Sequence, residues 1–519
     1  MWDKLSMNQK QFYRKLVTNF ASLSEAFAQK KENDDEPVAP IVNSKFQETV
    51  FQKAFNAVGE DISNSSYDAS IMTEDMGKYL VGIKSFGINS GDQKIAQFKA
   101  DSASDNWSKI FEEINDNQKN SKNKGEADNK NKDLYLKLAK KIARLRNERI
   151  KSSKAQLRGF DIMDGGDIEA VYHVLMPSKK GDNPKIYVGE TSYAPIDEKN
   201  IKIEGATNFK NPTNFKFSDG IHDYKYTSAD SQLLMSFHNK DIVVDQWNVQ
   251  YAEDAIDIFK NIGNVNVTST VELPIEQYSW VIFDKNGQVH ENSGFNAWYG
   301  RSKAGKEAKK KKFKEFSEDL FNTTSSENAS ELVEMLNHVL FDKKLDKNLR
   351  RGMLTELKNS VHHDLYEKIE KFILRPANEL YIPLPSSRKF NQEHPDFFGK
   401  NAGKLSSNGK TMAYDTKQRK FILKFMPSGE EIEAFIGQDY GKGIESIDKQ
   451  SIMGKWILQG VFQLDEREPL TGAKLDELHI NGIRVKKFAD PDRPVELEFV
   501  WIDTENPPQD AIGWVSKNK

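Results

Sequence analysis

The chain has 519 residues and contains no cysteine. This absence excludes disulfide bridges, thiolate zinc sites and cysteine nucleophiles within the chain. No run of apolar residues is long enough to span a bilayer. The first twenty residues, MWDKLSMNQKQFYRKLVTNF, show the periodicity of an amphipathic helix rather than the apolar stretch of a signal peptide. We therefore expect a soluble cytoplasmic protein.

Common catalytic signatures are missing as well. The chain has no GxxxxGK[ST] phosphate loop, no GxSxG nucleophile elbow and no HExxH zinc helix. It also lacks a glycine-rich loop after a strand of the kind that binds S-adenosylmethionine. These absences argue against an ATP-driven translocase and against a fused methyltransferase.

Charge is balanced overall but unevenly distributed. The formal net charge is −3, whereas a nucleic-acid-binding domain is usually basic. Lysine and arginine concentrate in two segments, 140–154 and 301–314. Such segments can contact phosphates or can form a solvated helix face, and charge alone leaves both interpretations open.

The length predicts two or three domains. We divide the chain into a mixed α/β region at 1–315 with a β-rich extension, a helical linker at 316–372 and an all-β module at 373–519. In the first region we expect a helix at 45–59, strands in SSYDASI and KYLVGIKSF, and a helix at 93–115. Two hairpins are expected farther on, and the polar tract at 117–132 is expected to be exposed and mobile. The fold class is therefore multidomain α+β.

The last third of the chain alternates short apolar runs with polar turns. LYIPL, KFILKFM, IEAFIG, KWILQGVF and VELEFVWI are predicted to be strands of a barrel or sandwich. Two segments between them carry side chains of the types that bond base edges and phosphates. The predicted DNA-binding residues are Ser387, Arg388, Lys389, Asn391, Gln438, Asp439, Lys442 and Lys449.

These segments also carry a family resemblance. RPANELYIPLP, then HPDFF, then GQDYGKGIES and GKWIL resemble, in that order, the C-terminal recognition domain of BfiI-type and NgoFVII-type restriction endonucleases. That domain is a DNA-binding pseudobarrel related to plant B3 domains, and the similarity covers roughly residues 375–503. The resemblance implies sequence-specific binding of duplex DNA in the major groove.

A recognition domain on a larger α/β region raises the question of whether that region cuts DNA. Asp68 in SSYDASI and Lys84 in KYLVGIKSF resemble the D…(D/E)xK core of PD-(D/E)xK nucleases. In such enzymes carboxylates hold Mg²⁺ and a lysine assists the attacking water. The pattern is incomplete, because Gly82 stands where the family has Asp or Glu. We expect Glu48 from the preceding helix to supply the second metal-binding carboxylate, with Asp92 or Gln97 as substitutes.

HNKDIVVD offers a competing site. His238, Lys240 and Asp245 satisfy the HxKxxxxD pattern of phospholipase D-like nucleases, in which the histidine is the nucleophile and no metal takes part. The downstream Gly-Ser and Asn of that family are absent, and the chain contains no convincing second copy.

These observations favour a type II restriction endonuclease that hydrolyses duplex DNA with Mg²⁺. Cutting two strands usually needs two centres, so a homodimer is expected. We also expect a separate methyltransferase that modifies the DNA sequence recognised by the endonuclease. The alternatives are the metal-independent nuclease that uses His238, and a DNA-binding protein that does not cleave.

Overall fold

The computed structural model describes residues 1–28, 36–59, 67–73, 75, 77–160, 168–254, 274–289, 293–300, 304–323, 326–342 and 344–513. Within these ranges the helices are α1 Met7–Ala21, α2 Ser24–Phe27, α3 Ser44–Phe55, α4 Lys99–Ser104, α5 Trp107–Lys119, α6 Lys124–Arg158, α7 Lys306–Thr323, α8 Ser326–Phe341, α9 Lys347–Ser360, α10 His363–Ile373, α11 Ser387–Glu393, α12 Gln450–Lys455 and α13 Gly472–Leu478.

The strands form three sheets. They are β1 Val58–Gly59, β2 Ala69–Met72, β3 Lys78–Ser85, β4 Gln93–Gln97, β5 Glu169–Pro177, β6 Lys185–Ser192, β7 Lys202–Ala206, β8 Phe215–Ser218, β9 Asp223–Thr227, β10 Gln232–Met235, β11 Val243–Asn248, β12 Glu276–Val281, β13 Ile382–Pro383, β14 Lys420–Phe425, β15 Glu430–Gly437, β16 Gly443–Ser446, β17 Gly482–Lys487 and β18 Val495–Val500. The protein is thus of the mixed α+β class, and one of the sheets curls into a half-barrel.

The first sheet has the strand order β1-β2-β3-β5-β6-β11. Its β3 and β5 are parallel, and a parallel pair needs a crossover connection, which here contains the long helix α6. Alternate residues of β3 point to opposite faces. Val81 and Ile83 therefore join the apolar cluster that contains α1 and α3, whereas Leu80 joins the cluster that contains α5, α6 and the second sheet.

Several predicted elements of this region are confirmed. The helix predicted at 45–59 corresponds to α3, although it ends at Phe55 and residues 58–59 form β1 instead. The two expected strands correspond to β2 and β3. Both hairpins form, as the antiparallel pairs β5–β6 and β8–β9.

Two expectations in this region were wrong. Residues 93–97, placed at the start of a helix, form β4, which pairs with β10 at the edge of the second sheet. The polar tract at 117–132 is largely helical, since α5 runs into it and α6 begins within it. The Asn123 side chain caps α6 by accepting the Glu126 N–H at 3.0 Å. Ion pairs four residues apart, Lys124 with Asp128 and Lys130 with Glu126, support the first turns.

The third sheet has the order β12-β17-β18-β14-β15-β16-β13. Its edge strand β12 lies within 1–315, so the sheet does not begin at residue 373. The segment at 316–372 does not behave as a linker either. Its helices place Leu320, Leu336, Leu357 and Ile369 in the same apolar cluster as the sheet, because these helices have an apolar side that must be buried.

The C-terminal module is also not all-β. KWILQGVF, predicted to be a strand, continues α12 as a π-helical turn at Trp456–Val461. A short apolar run does not distinguish a buried strand from a buried helix, and here the helix forms. KFILKFM, IEAFIG and VELEFVWI form β14, β15 and β18, as predicted. Among the described residues, no helix has the length and apolar character needed to cross a membrane.

Candidate functional site

Asp68 and Lys84 come together at one end of the first sheet. Asp68 directly precedes β2, and Lys84 lies near the end of β3, which pairs with β2 in antiparallel register. The Asp68 backbone N–H donates to the Val81 carbonyl oxygen at 3.0 Å. Its carboxylate Oδ2 accepts the Ile83 N–H at 2.6 Å. Both side chains line a cavity of about 630 Å³, named here the Asp68 cavity.

The Asp68 cavity lies between the first sheet, α4, α6 and two segments of the C-terminal module. Cationic and anionic side chains both line it. The cations are Lys84, Lys94, Lys99, Arg146 and Arg149, and the anions are Asp68, Asp101 and Asp476. Partial burial and the neighbouring Asp101 carboxylate raise the pKa of Asp476. The site is therefore a charged cleft on the face of the sheet that carries Lys84.

The structure explains the glycine at position 82. Register places Gly82 opposite Tyr172 of β5, and a Cβ at Gly82 would lie 2.9 Å from the Tyr172 ring. That ring stacks on Tyr193 with centroids 4.0 Å apart and an interplanar angle of 14°. The Tyr193 ring in turn lies 4.8 Å below the Arg146 guanidinium. The space that a carboxylate would need is thus filled by aromatic rings.

The proposed substitutes for the missing carboxylate are separated by the fold. Glu48 lies on α3, whose apolar side packs on the opposite face of the sheet, and its carboxylate pairs with Lys45 at 2.9 Å. It is not part of the cavity lining, so the expected Asp68–Glu48 pair is not assembled. Asp92 lines a different cavity. Gln97 does line the Asp68 cavity, and its side-chain amide donates to the Asp230 carbonyl oxygen.

Metal ligands are therefore few. Among the residues that the structure describes, no group of three or more His, Asp or Glu side chains could hold a metal ion. Mg²⁺ usually keeps several waters and is held by one or two carboxylates together with substrate phosphates. The donor set at Asp68 fits an ion of that kind, held mainly by water and phosphate.

The competing His238 site is not assembled. His238 lies 3.3 Å from the Asp223 carboxylate, in a loop before β11. Asp245 lies on β11, where its carboxylate accepts the indole N–H of Trp247 at 2.9 Å. The small cavity lined by His238 and Lys240 does not include Asp245. The three residue types match a sequence spacing, but they do not share one cavity.

In the C-terminal module, the two predicted DNA-binding segments contact each other. Asn391 of α11 donates from its side-chain amide to the carbonyl oxygens of Tyr440 and Gly441, at 3.1 and 3.2 Å. The guanidinium of Arg388 lies 4.9 Å from the centre of the Tyr440 ring. The segment around α11 and the turn between β15 and β16 therefore form one surface, named here the α11–turn surface.

Not all of the residues predicted to bind DNA on the α11–turn surface are exposed. Ser387 and Asn391 are buried, so their side chains serve the packing of the module. Arg388 and Lys389 are exposed on α11, and Gln438 and Asp439 are exposed on the turn. Four of the predicted side chains have internal partners: Gln438 donates to Glu445, Asp439 pairs with Lys442, and the Lys449 ammonium lies over the Phe160 ring.

Sequence reasoning missed most of the remaining cavity wall. The basic segment 140–154 was noted only for its charge, yet Arg146 is 3% exposed and donates to the Ala194 carbonyl oxygen. Arg149 binds the Asp101 carboxylate at 2.9 Å. Arg146 and Arg149 are three residues apart and therefore lie on one side of α6. This spacing was the feature of the sequence that could have predicted their common location. Nothing in the sequence predicted that His479 and Trp501 line this cavity, because they are distant from its other residues along the chain.

A comparison of the chain with models of known protein families finds no match, and a comparison with curated proteins finds none either.

Proposed function

We propose that this protein is a sequence-specific endonuclease of the type II restriction kind, which hydrolyses phosphodiester bonds of duplex DNA with Mg²⁺. One observation carries the proposal: Asp68, directly before β2, and Lys84, on the paired strand β3, line the same charged cavity. We further propose that the enzyme is a cytoplasmic homodimer. A separate methyltransferase would modify the same DNA site in the host.

The residues would divide the chemistry as follows. The Asp68 carboxylate would hold Mg²⁺ together with the substrate phosphate, and the ion would polarise the phosphoryl group. Lys84 is half-buried on the neighbouring strand. Its ammonium would orient the attacking water and stabilise the negative charge that develops on the phosphate. The surrounding lysines and arginines favour binding of an anionic backbone.

Recognition is assigned to the α11–turn surface. Its exposed Arg388 can make a bidentate contact with a guanine, and exposed Lys389 can contact phosphates. Gln438, Asp439, Lys442 and Lys449 surround them as further candidates. Ser387 and Asn391 are reassigned to packing because they are buried.

A second candidate function is sequence-specific DNA binding without cleavage. Two observations favour it: Gly82 is enclosed by Tyr172 and Tyr193, and among the described residues Asp68 does not belong to a group of three side chains that could hold a metal ion. Both candidates share the α11–turn surface. They differ only in whether the Asp68 cavity is catalytic.

The two candidates are separated by incubating the full chain with DNA of known, mixed sequence. Cleavage into discrete fragments in Mg²⁺, with none in EDTA, supports the metal-dependent enzyme. Sequencing the fragment ends then identifies the recognised bases and the cut position. A mobility shift without cleavage supports the binding protein. Cleavage that persists in EDTA contradicts the metal assignment and favours His238.

A matched pair of lysine variants tests the catalytic assignment. Lys84→Ala should slow cleavage about 10²- to 10⁴-fold, the usual range for a group that transfers or positions a proton. Lys78→Ala is the control, because Lys78 begins the same strand and does not line the cavity. Equal rates of cleavage for the two variants would show that Lys84 has no catalytic role.

A further inference from the structure

One wall of the Asp68 cavity comes from the C-terminal module and is aromatic. His479 follows α13 and Trp501 follows β18, and both line the cavity. Their rings stack with centroids 4.2 Å apart and an interplanar angle of 10°. An aromatic platform and the Asp68–Lys84 pair therefore line the same cleft.

This platform is held firmly against α6. The Lys474 ammonium on α13 pairs with the Glu148 carboxylate at 2.6 Å, and both side chains are more than four-fifths buried. Arg149 donates from Nε to the Glu477 carbonyl oxygen at 2.7 Å while its guanidinium binds Asp101. These buried contacts fix the distance between the two modules at the cavity.

The stacked pair carries no charge at neutral pH. Burial, together with the positive charge of Arg149, lowers the pKa of His479 from 6.5 to about 4. A neutral imidazole beneath an indole leaves the platform suited to an uncharged planar ring. Aromatic side chains of this kind bind nucleobases of any sequence, since every base has a π-face.

The size of the cavity restricts what enters. Its volume of about 630 Å³ falls within the range of clefts that enclose one drug-sized ligand, about 300–1,000 Å³. Such a space accommodates one nucleotide but not a stretch of stacked duplex. Lys84, Lys94 and Lys99 in the lining favour the phosphate of that nucleotide.

We infer that the Asp68 cavity receives one unpaired nucleotide of DNA, with its base stacked on Trp501 and its phosphate toward Lys84. The inference rests on the proposed nuclease function of this site and specifies its substrate. The nucleotide is either extruded from the duplex or part of a single strand. Extrusion costs a few kcal/mol, and enzymes that act on an extruded base stabilise it by stacking and hydrogen bonding in a pocket.

The inference is tested with DNA that contains the fluorescent base 2-aminopurine at one position. The full chain in EDTA, which prevents metal-dependent cleavage, is titrated with three probes: a single strand, a perfect duplex and a duplex in which the probe base is mismatched. Stacking on Trp501 should quench the probe in the single strand and in the mismatched duplex more strongly than in the perfect duplex.

Three variants accompany the titration. Trp501→Ala should weaken binding of the single strand roughly 5- to 150-fold, the range expected when one base–aromatic stack is lost, and should abolish the quench. Trp501→Phe keeps a ring and should retain most of the affinity, which separates lost stacking from misfolding. Phe12→Ala removes an aromatic side chain that is 42% exposed on α1 and does not line the cavity, and it should bind as the parent does.

The outcomes distinguish this inference from the function on which it rests. If Trp501→Ala binds single strands as tightly as the parent, or if all three probes are quenched equally, the inference is overturned even when the enzyme cleaves DNA. If the Trp501-dependent quench occurs but Mg²⁺ produces no cleavage of any probe, the nucleotide site stands and the nuclease function fails.

Discussion

The residues of the Asp68 cavity and of the α11–turn surface were both predicted from short motifs. The two sets differ in how many of the predicted side chains lie where the prediction placed them. In the first sheet, the two main motif residues, Asp68 and Lys84, line one cavity. On the α11–turn surface the motif residues divide, since Asn391 and Ser387 are buried while Arg388 and Lys389 are exposed. On β3, Gly82 and Lys84 are related by the two-residue period of a strand, so the face that they share can be predicted. Residues of turns and short helices have no such period, and their exposure must be observed.

The difference has a consequence for mutagenesis. Substitutions in the cavity should change the rate of cleavage more than the stability of the protein. Substitutions on the α11–turn surface should separate into those that change stability and those that change DNA recognition. The following predictions test this contrast.

Of the four comparisons in this series, Asp68→Asn should have the largest effect. Asparagine keeps an oxygen that can accept the Ile83 N–H but removes the negative charge that binds Mg²⁺. Without the bound ion the transition state loses several kcal/mol of stabilisation, which corresponds to a decrease of roughly 10²- to 10³-fold in the rate of cleavage. Initial rates in Mg²⁺ measure the effect. Asp92→Asn serves as the control, because Asp92 lines another cavity, and a similar loss there would contradict the assignment of Asp68.

The second prediction compares the two buried histidines across pH. Burial lowers the pKa of His173 from 6.5 to about 3, and burial with the Arg149 charge lowers the pKa of His479 to about 4. Because both folded-state values lie below 6.5, the unfolded chain takes up protons first. The stability contributed by the neutral rings is fully present above about pH 6.5 and is lost as the pH falls toward 4 and 3.

His173 should account for the larger part of this loss. It is fully buried in an aromatic cluster with Trp2 and Phe51, and its Nε2 lies 3.1 Å from the Tyr13 hydroxyl. We expect His173 to lower the free energy of unfolding by about 3 kcal/mol between pH 7 and pH 4, and to lower it further toward pH 3, where the contribution of His479 has levelled off. Urea unfolding at several pH values measures the loss. His173→Gln should flatten the profile more than His479→Gln, and the reverse order would contradict the assignment.

The third prediction concerns a residue first predicted to contact DNA. Asn391→Ala removes the donor to two backbone carbonyls, and the Asn391 side chain is itself buried. Leaving these groups unsatisfied should lower the free energy of unfolding by about 2–3 kcal/mol. Lys389→Ala, on the exposed side of the same helix, should change it by less than about 0.5 kcal/mol. Urea unfolding of the two variants provides the comparison. Equal stabilities would contradict the assignment of Asn391 to packing and would make it a candidate for DNA contact again.

The smallest effect on the protein itself is expected from Arg388→Ala. This side chain is exposed and lies over Tyr440, so its loss should leave the unfolding midpoint unchanged. DNA binding should weaken by about 1–3 kcal/mol at one base position if Arg388 reads a guanine. Mobility shifts with single-base variants of the recognised site measure this. Equal weakening on every sequence would make Arg388 a phosphate contact.

Much of the first sheet followed from the sequence. KYLVGIKSF has the length and apolar content of a buried strand, so β3 was predicted near its observed limits. The helix at 45–59 shows a clear apolar stripe, and its start was predicted correctly, but α3 ends at Phe55 and residues 58–59 form β1. The same reasoning failed for KWILQGVF and for residues 93–97. In both segments the local pattern suits a strand or a helix equally, and the neighbouring elements decided which one formed.

The sequence by itself determined which residue types are available: Asp68 and Lys84 in two successive strand-like segments, Gly82 two residues before Lys84, and polar side chains around 387 and 438. Tertiary structure alone decided how they are used. Side chains from β5 and the loop after β6 fill the space beside Gly82, and α3 carries Glu48 to the opposite face. Trp501 reaches the cavity from more than four hundred residues beyond Asp68. Periodicity describes the faces of one element, whereas the packing of distant elements depends on the shape of the whole core.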